Sequence, residues 1–174
     1  FYDDRSGLFN FTDNREEKLV STPIELSDNV IPATNSVMTG NLFKLSSIFG
    51  ITHFEKVAER LLNGVEKGII EYSEGYFNWM KTWLTRCIGS PEVVITGPDA
   101  RRISHSLKGE TFPLSLQIFS LKPSRLEIFR GRIKSDQNQI HLCKNHSCQL
   151  PQSELSKALK DIKRLIEETR EEIA

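Results

Sequence analysis

Four carboxylates, Asp13, Glu16, Glu17 and Asp28, fall within one short stretch near the N-terminus. Glycoside hydrolysis uses such a set. One carboxyl group protonates the leaving oxygen, and a second stays ionised as base or nucleophile. Asp13, Glu17 and Asp28 could supply such a pair if their loop faced a pocket. The plainer alternative is that Asp13 and Glu17 are solvated loop charges and that Asp28 caps a turn or helix through its carboxylate. Asn35 and Ser36 come next, two side chains able to hydrogen-bond a polar ligand, although at a helix start such groups more often satisfy orphan amides.

A second group lies in His141-Leu142-Cys143-Lys144-Asn145-His146-Ser147-Cys148. Zinc prefers four thiol or imidazole ligands in a tetrahedron, but this Cys spacing is unlike the usual knuckle and there is no further ligand pair downstream. A local disulfide is open if the segment turns back on itself. The leading alternative is a pair of small thiols pinning a β-turn. Cys143, Asn145 and Cys148 are carried forward as a structural or redox group, and no metal or cofactor is expected. A helix-opening Cys-x-x-Cys, the usual redox-catalytic arrangement, is missing.

Other candidates are weaker. His53 sits in the first turn of an expected helix and His105 on a short amphipathic one, so both are expected at the surface rather than as bases for epimerisation. Gly97-Pro98-Asp99 comes after a strand, as phosphate-binding turns do, yet it has one glycine and a proline that removes a donor. Tyr72, Tyr76, Phe77, Trp79 and Trp83 could stack on a sugar, although such a helical stripe is more often core.

The elements that must position these residues are legible in the periodicity. Residues 1–32 read as extended or looped, broken by Gly7, Pro23 and Pro32. Met38, Leu42, Leu45 and Phe49 recur at helical spacing over Thr34 to Phe49, with Gly50 as the stop. Thr52-His53-Phe54-Glu55 matches a capping box, and Phe54, Val57, Ala58, Leu61, Leu62 and Val65 give the next helix a wide apolar stripe. A connection of about two residues predicts a helical hairpin. A third helix is expected over about Glu74 to Ile88, apolar around much of its circumference. Beyond Gly89 the pattern becomes strand, helix, strand: Glu92 to Thr96, Asp99 to Leu107, Leu114 to Leu121. A crossover of that kind implies parallel pairing. Gln139 to Cys143 reads as a further strand. A final helix runs to about Ile173, with Leu155, Leu159, Ile162, Leu165, Ile166 and Ile173 inward.

Lys plus Arg and Asp plus Glu each number 23, so net charge draws the chain to neither nucleic acid nor a membrane surface. No apolar run approaches the roughly 20 residues that span a bilayer. Three cysteines are too few for a disulfide-framed secreted domain, which favours a reducing, cytoplasmic setting. The start at Phe1-Tyr2-Asp3-Asp4 reads as a truncation.

Two separated motifs resemble a known family. One is Gly7-Leu8-Phe9-Asn10-Phe11-Thr12-Asp13, then Glu17, Leu19, Asp28, Pro32, Asn35 and Ser36. The other is Cys143-Lys144-Asn145-His146-Ser147-Cys148-Gln149-Leu150-Pro151, with Pro91 to Pro98 between them. Together they are similar to the thioredoxin-domain-containing, spermatogenesis-associated family over about residues 1–151. Ala33-Thr34 departs from that pattern, which has Ser-Gly there. Ser21-Thr22 departs as well, where a basic residue is the rule. The resemblance implies an α/α toroid similar to sugar epimerases and six-hairpin glycosidases, with the Phe9 to Ser36 segment as one pocket wall. Phe9, Phe11, Asn35 and Ser36 would then bind ligand, and Asp13, Glu17 and Asp28, in the loop facing the toroid mouth, would be the catalytic candidates.

The expected fold is α+β and mainly helical. Residues 1–89 would form the closing hairpins of a partial α/α toroid, 90–151 a small parallel α/β segment, and 152–174 a C-terminal helix. The resemblance implies two functions: a fragment of a carbohydrate-enzyme-like protein, inactive alone, or a non-catalytic interaction module. The expected partners are a carbohydrate-like small molecule and the N-terminal remainder of the same protein.

Overall fold

The structure, a computed structural model, describes residues 1–13, 23–108, 115–133, 136–145 and 147–173. The chain divides into two compact units, Phe1–Trp83 and Leu84–Ala174.

The first unit opens with an antiparallel pair, β1 (Tyr2–Asp3) and β2 (Leu8–Phe9), in which Tyr2 faces Phe9. Their rings lie 5.0 Å apart. Helices α1 (Thr34–Phe49) and α2 (Thr52–Gly64) then pack against each other as the short connection predicts. Gly50 takes the left-handed conformation and closes α1. Val57, Ala58, Leu61 and Leu62 of α2, with Val65, are buried as their spacing requires, in one core with Leu42, Ile69 and Trp79. The expected capping box does not form. Thr52 lies inside α2, and Ile51 holds the N-cap position with no side-chain bond.

On α1 the buried face departs from the apolar pattern. Asn35, Ser36, Thr39, Leu42 and Ser46 are buried, while Phe49 is exposed. A small hydroxyl can be buried on a helix when it returns its proton to the backbone. Thr39 Oγ1 does so to Asn35 O at 2.8 Å, and Ser36 Oγ to Ala33 O at 2.8 Å.

The course of the chain beyond α2 overturns the expected toroid. One short helix, α3 (Glu66–Glu71), and a 3-10 turn at Ser73–Gly75 come first. Only then does the chain enter α4 (Phe77–Cys87), so the third helix starts later than expected and no second hairpin like α1/α2 appears among the described residues. The Tyr76 ring lies so close to Gly68 that a Cβ there would sit 2.6 Å from it, a packing that suits the chain folding back at this point. The boundary between the units falls inside α4, between Trp83 and Leu84. The architecture is therefore α+β with two sheets, not a mainly helical partial toroid.

The second unit carries a four-stranded sheet in the order β4-β3-β5-β6, formed by β3 (Glu92–Thr96), β4 (Leu116–Ser120), β5 (Gln139–Lys144) and β6 (Ser147–Cys148). β3 and β4 pair in parallel across α5 (Ala100–Leu107), as the crossover predicts. β5 runs antiparallel to both β3 and β6, so the sheet is mixed where a parallel segment was expected. Alternation sends Val93, Ile95, Ile140 and Leu142 to one face. There they meet Ile103 and Leu107 of α5 and Ala158 and Ile162 of α6 (Leu155–Ile173). Leu155, Leu159 and Ile166 complete that packing, whereas the Ile173 side chain lies outside the described residues. The opposite face of β3 and β5 carries Thr96 and His141. Both side chains reach the backbone carbonyl of Arg132, at 2.9 and 3.3 Å.

Gly97 shows how tightly the end of β3 is built. Its φ is +120°, and a Cβ would lie 2.6 Å from Gln137 O and 2.7 Å from Asn138 Cα. Gly97→Ala combines a strained φ with a backbone clash. It should lower unfolding free energy by about 2–4 kcal/mol, measured by urea denaturation.

Candidate functional site

The stretch from Pro23 to Ala33 has no regular structure, so its backbone groups must find partners elsewhere. Side chains of α1 and α4 supply them. Asn35 is fully buried. Its Oδ1 accepts from Phe9 N–H at 2.8 Å, while Nδ2 donates to Phe9 O at 2.9 Å and Glu25 O at 3.0 Å. The amide thus pairs with the Phe9 backbone as a neighbouring strand would. Trp79, fully buried, donates its indole N–H to Leu26 O at 2.7 Å.

Asp28 is the hub of this network. Its Oδ1 accepts from Ala33 N–H at 2.8 Å and shares the single Ser36 hydroxyl proton with Ala33 O, lying 2.9 Å from Ser36 Oγ, and its Oδ2 accepts from Asn78 N–H at 2.8 Å. Asn78 Nδ2 in turn donates to Ser36 Oγ at 2.9 Å, and Asp28 N–H donates to Gly75 O at 2.6 Å. Ala33 is the N-cap of α1 and Asn78 lies in the first turn of α4. One carboxylate therefore serves amides at two helix N-termini, where the aligned peptide dipoles favour negative charge.

Of the three carboxylates considered for acid/base work, Asp28 has both oxygens engaged by this framework. Asp13 is part-buried and also has an interaction partner, and Glu17 lies outside the described residues. Phe9 is held in β2, and Phe11 is exposed, its N–H donating to Pro23 O at 3.3 Å. Asn35 and Ser36 are buried within the network rather than presented to an opening. Among the aromatics, Trp79 is core and Tyr76 packs against it, while Tyr72, Phe77 and Trp83 are exposed.

The two cysteines are joined in a Cys143–Cys148 disulfide. They are directly opposed residues of β5 and β6, with Cα atoms 4.0 Å apart. Asn145 begins the connection with φ 51°, a left-handed conformation that Asn tolerates better than most residues, and its N–H donates to Gly89 O at 3.0 Å. His146 lies outside the described residues. Cys87 is a free, exposed cysteine. Among the described residues no cluster of His, Cys, Asp and Glu could hold a metal ion. The Gly97-Pro98-Asp99 turn is closed by its own neighbours: Asn138 Oδ1 accepts from Asp99 N–H at 2.9 Å.

Two partners carried no local signal. Asn78 is fifty residues from the carboxylate it meets, and Arg132 is sixteen from Cys148. Arg132 Nη2 lies 3.2 Å from Cys148 Sγ, and its Nη1 donates to Ile128 O at 2.9 Å. His141 is buried beside it, and its pKa falls below the usual 6.5. Burial is the main cause and the Arg132 charge adds to it, while the bond to Arg132 O works in the other direction.

The chain matches no protein-family model, no curated protein and no solved structure. Among the described residues no helix is long and apolar enough to cross a membrane.

Replacing Asp28 by Asn turns one acceptor oxygen into a donor facing another N–H or O–H. Replacing Asn35 by Asp sets an oxygen against two carbonyls. Each variant should lose about 1–3 kcal/mol of unfolding free energy, read from urea midpoints.

His141 gives a pH dependence of defined sign. With its folded pKa lowered, the unfolded chain takes up the proton first. The stability present above about pH 6.5 is therefore lost progressively as pH falls toward the folded pKa. The urea midpoint should fall between about pH 7.5 and about pH 5.5, and His141→Gln should flatten that decline.

Proposed function

We propose that the chain is a non-catalytic interaction module whose first unit packs against further protein. The observation that carries this is a cleft between α2, α3 and α4, lined by Leu62, Asn63, Glu66, Ile69, Ile70 and Trp83. Ile70 is 75% exposed and Trp83 49%. The cleft holds about 90 Å³. Small-molecule sites run to roughly 300–1,000 Å³, and even a benzene-sized cavity needs about 150 Å³. This space suits an inserted apolar side chain rather than a sugar ring. Exposed Trp and Ile beside such a notch are what an interface anchor requires, since buried aromatic contacts dominate binding energy.

The partner we infer is the N-terminal remainder of the same polypeptide; the toroid that the family resemblance implied is not the fold found, so the apolar notch with exposed Ile70 and Trp83 carries this reading. The competing reading, a carbohydrate-active site, needs a free pair of carboxylates. The engagement of Asp28 by Ala33, Ser36 and Asn78 weighs against it.

The test is to express the preceding part of the natural polypeptide separately and titrate it against this chain by calorimetry. A stable complex is expected, weakened by about tenfold or more in Ile70→Glu and in Trp83→Ser while circular dichroism stays unchanged. Absence of a complex, or turnover of aryl glycosides by the chain alone, would overturn the reading.

A further inference from the structure

We propose that Cys143–Cys148 is a thiol–disulfide exchange site, with Cys148 as the sulfur that meets an external dithiol. Backbone hydrogen bonds beside it also hold the chain in place. Gln149 N–H donates to Leu142 O at 2.9 Å, and Ile140 and Gln152 exchange a pair of hydrogen bonds at 2.8 and 2.9 Å. These hold the return of the chain after β6 through backbone groups, apart from the sulfurs. The cysteines are only five residues apart. A cross-link closing so short a loop removes less chain entropy from the unfolded state than a long-range one.

The two sulfurs are also inequivalent. Cys143 is buried in the central part of the sheet, whereas Cys148 is exposed on its edge strand. Beside Cys148 Sγ sits the Arg132 guanidinium, at 3.2 Å and fixed by its second nitrogen to Ile128 O. A guanidinium favours thiolate over thiol, so it stabilises Cys148 in the reduced form. Neighbouring His141 keeps its ring close to Arg132 O.

Exchange then runs in two displacements. A thiolate of the dithiol attacks Cys148 Sγ and forms a mixed disulfide. The Cys143–Cys148 bond breaks, and its electron pair leaves on the Cys143 sulfur, which takes up the proton the dithiol gave up. The second thiolate of the dithiol attacks its own partner sulfur and releases Cys148 as a thiolate beside Arg132. The remaining proton passes to water. The dithiol is oxidised to a disulfide, the protein pair is reduced by two electrons, and the reverse sequence restores the bond.

The test uses the full chain with Cys87→Ser, so that only the pair reports. After reduction by dithiothreitol and its removal, glutathione disulfide is added, the exchange is quenched early with acid before Cys143 displaces the glutathione, and peptide mapping locates the mixed disulfide. It is expected on Cys148, with native circular dichroism kept in the reduced state. The pH midpoint of Cys148 alkylation should lie below that of an ordinary thiol. Arg132→Gln should slow the reaction about tenfold near pH 7, and Arg132→Lys should restore most of it. Mapping to Cys143, loss of native structure on reduction, or an alkylation profile unmoved by Arg132→Gln would each overturn the proposal. Should Arg132→Gln fail to fold, the mapping on the unmutated chain still decides.

Discussion

One carboxylate organises the first unit. The Pro23 to Ala33 stretch offers no ladder of its own, so its place depends on partners from helices far along the chain. Asp28 joins the cap of α1 to the first turn of α4, some fifty residues apart. Entropy opposes ordering such a stretch at about 1–2 kcal/mol per residue, and no single neutral hydrogen bond offsets that. A charged acceptor with three donors is among the stronger arrangements open to a folded chain. Asn35 and Trp79 add their bonds to Phe9, Glu25 and Leu26, so the loop is tied at several points along its length.

This constraint explains why α1 buries polar residues. Helix packing normally presents an apolar stripe, and Met38, Leu42, Leu45 and Phe49 offered one. The chain instead rotates Asn35, Ser36 and Thr39 inward, because that face carries the hydroxyl and amide groups the loop needs. The apolar core is assembled from the other side, by α2 and Trp79. Each buried polar atom is matched: among the described residues no buried side-chain nitrogen or oxygen lacks a partner.

Much of the layout was legible in the residue pattern, and the losses have physical causes. Period and breaker residues alone mark the bounds of α1 and β3, the apolar stripe of α2 and the parallel pairing of β3 with β4. Those signals are local. The partners of Asp28 and Cys148 are not, and no spacing rule links residues that meet only after folding. Asn35 and Ser36 stood out as polar residues at a helix start, which marks both a ligand contact and a structural bond. Only the positions that Phe9, Glu25 and Asp28 take in the fold separate the two. The toroid expectation extended one helical hairpin into a repeat. The break at α3 and the Ser73–Gly75 turn, with a mixed sheet beyond them, shows that one hairpin does not determine the next element.

The two units solve the same accounting problem in different ways. In the second, β3 and β5 satisfy their backbones through the ladder, and both strands are buried because α5 and α6 cover one face while backbone near Arg132 meets the other. Strands covered on both sides read as nearly continuous apolar runs, which is why Glu92 to Thr96, with Val93, Val94 and Ile95 at its centre, reads as a strand. A ladder-held sheet is fixed by its backbone groups rather than by the side chains along its edge. Cys148 and the Arg132 guanidinium lie at such an edge, whereas Asp28, Asn35 and Trp79 are each committed to keeping an irregular segment in place. The exposed side chains at the sheet edge and on the open faces of α3 and α4 stand apart from the polar network of the first unit.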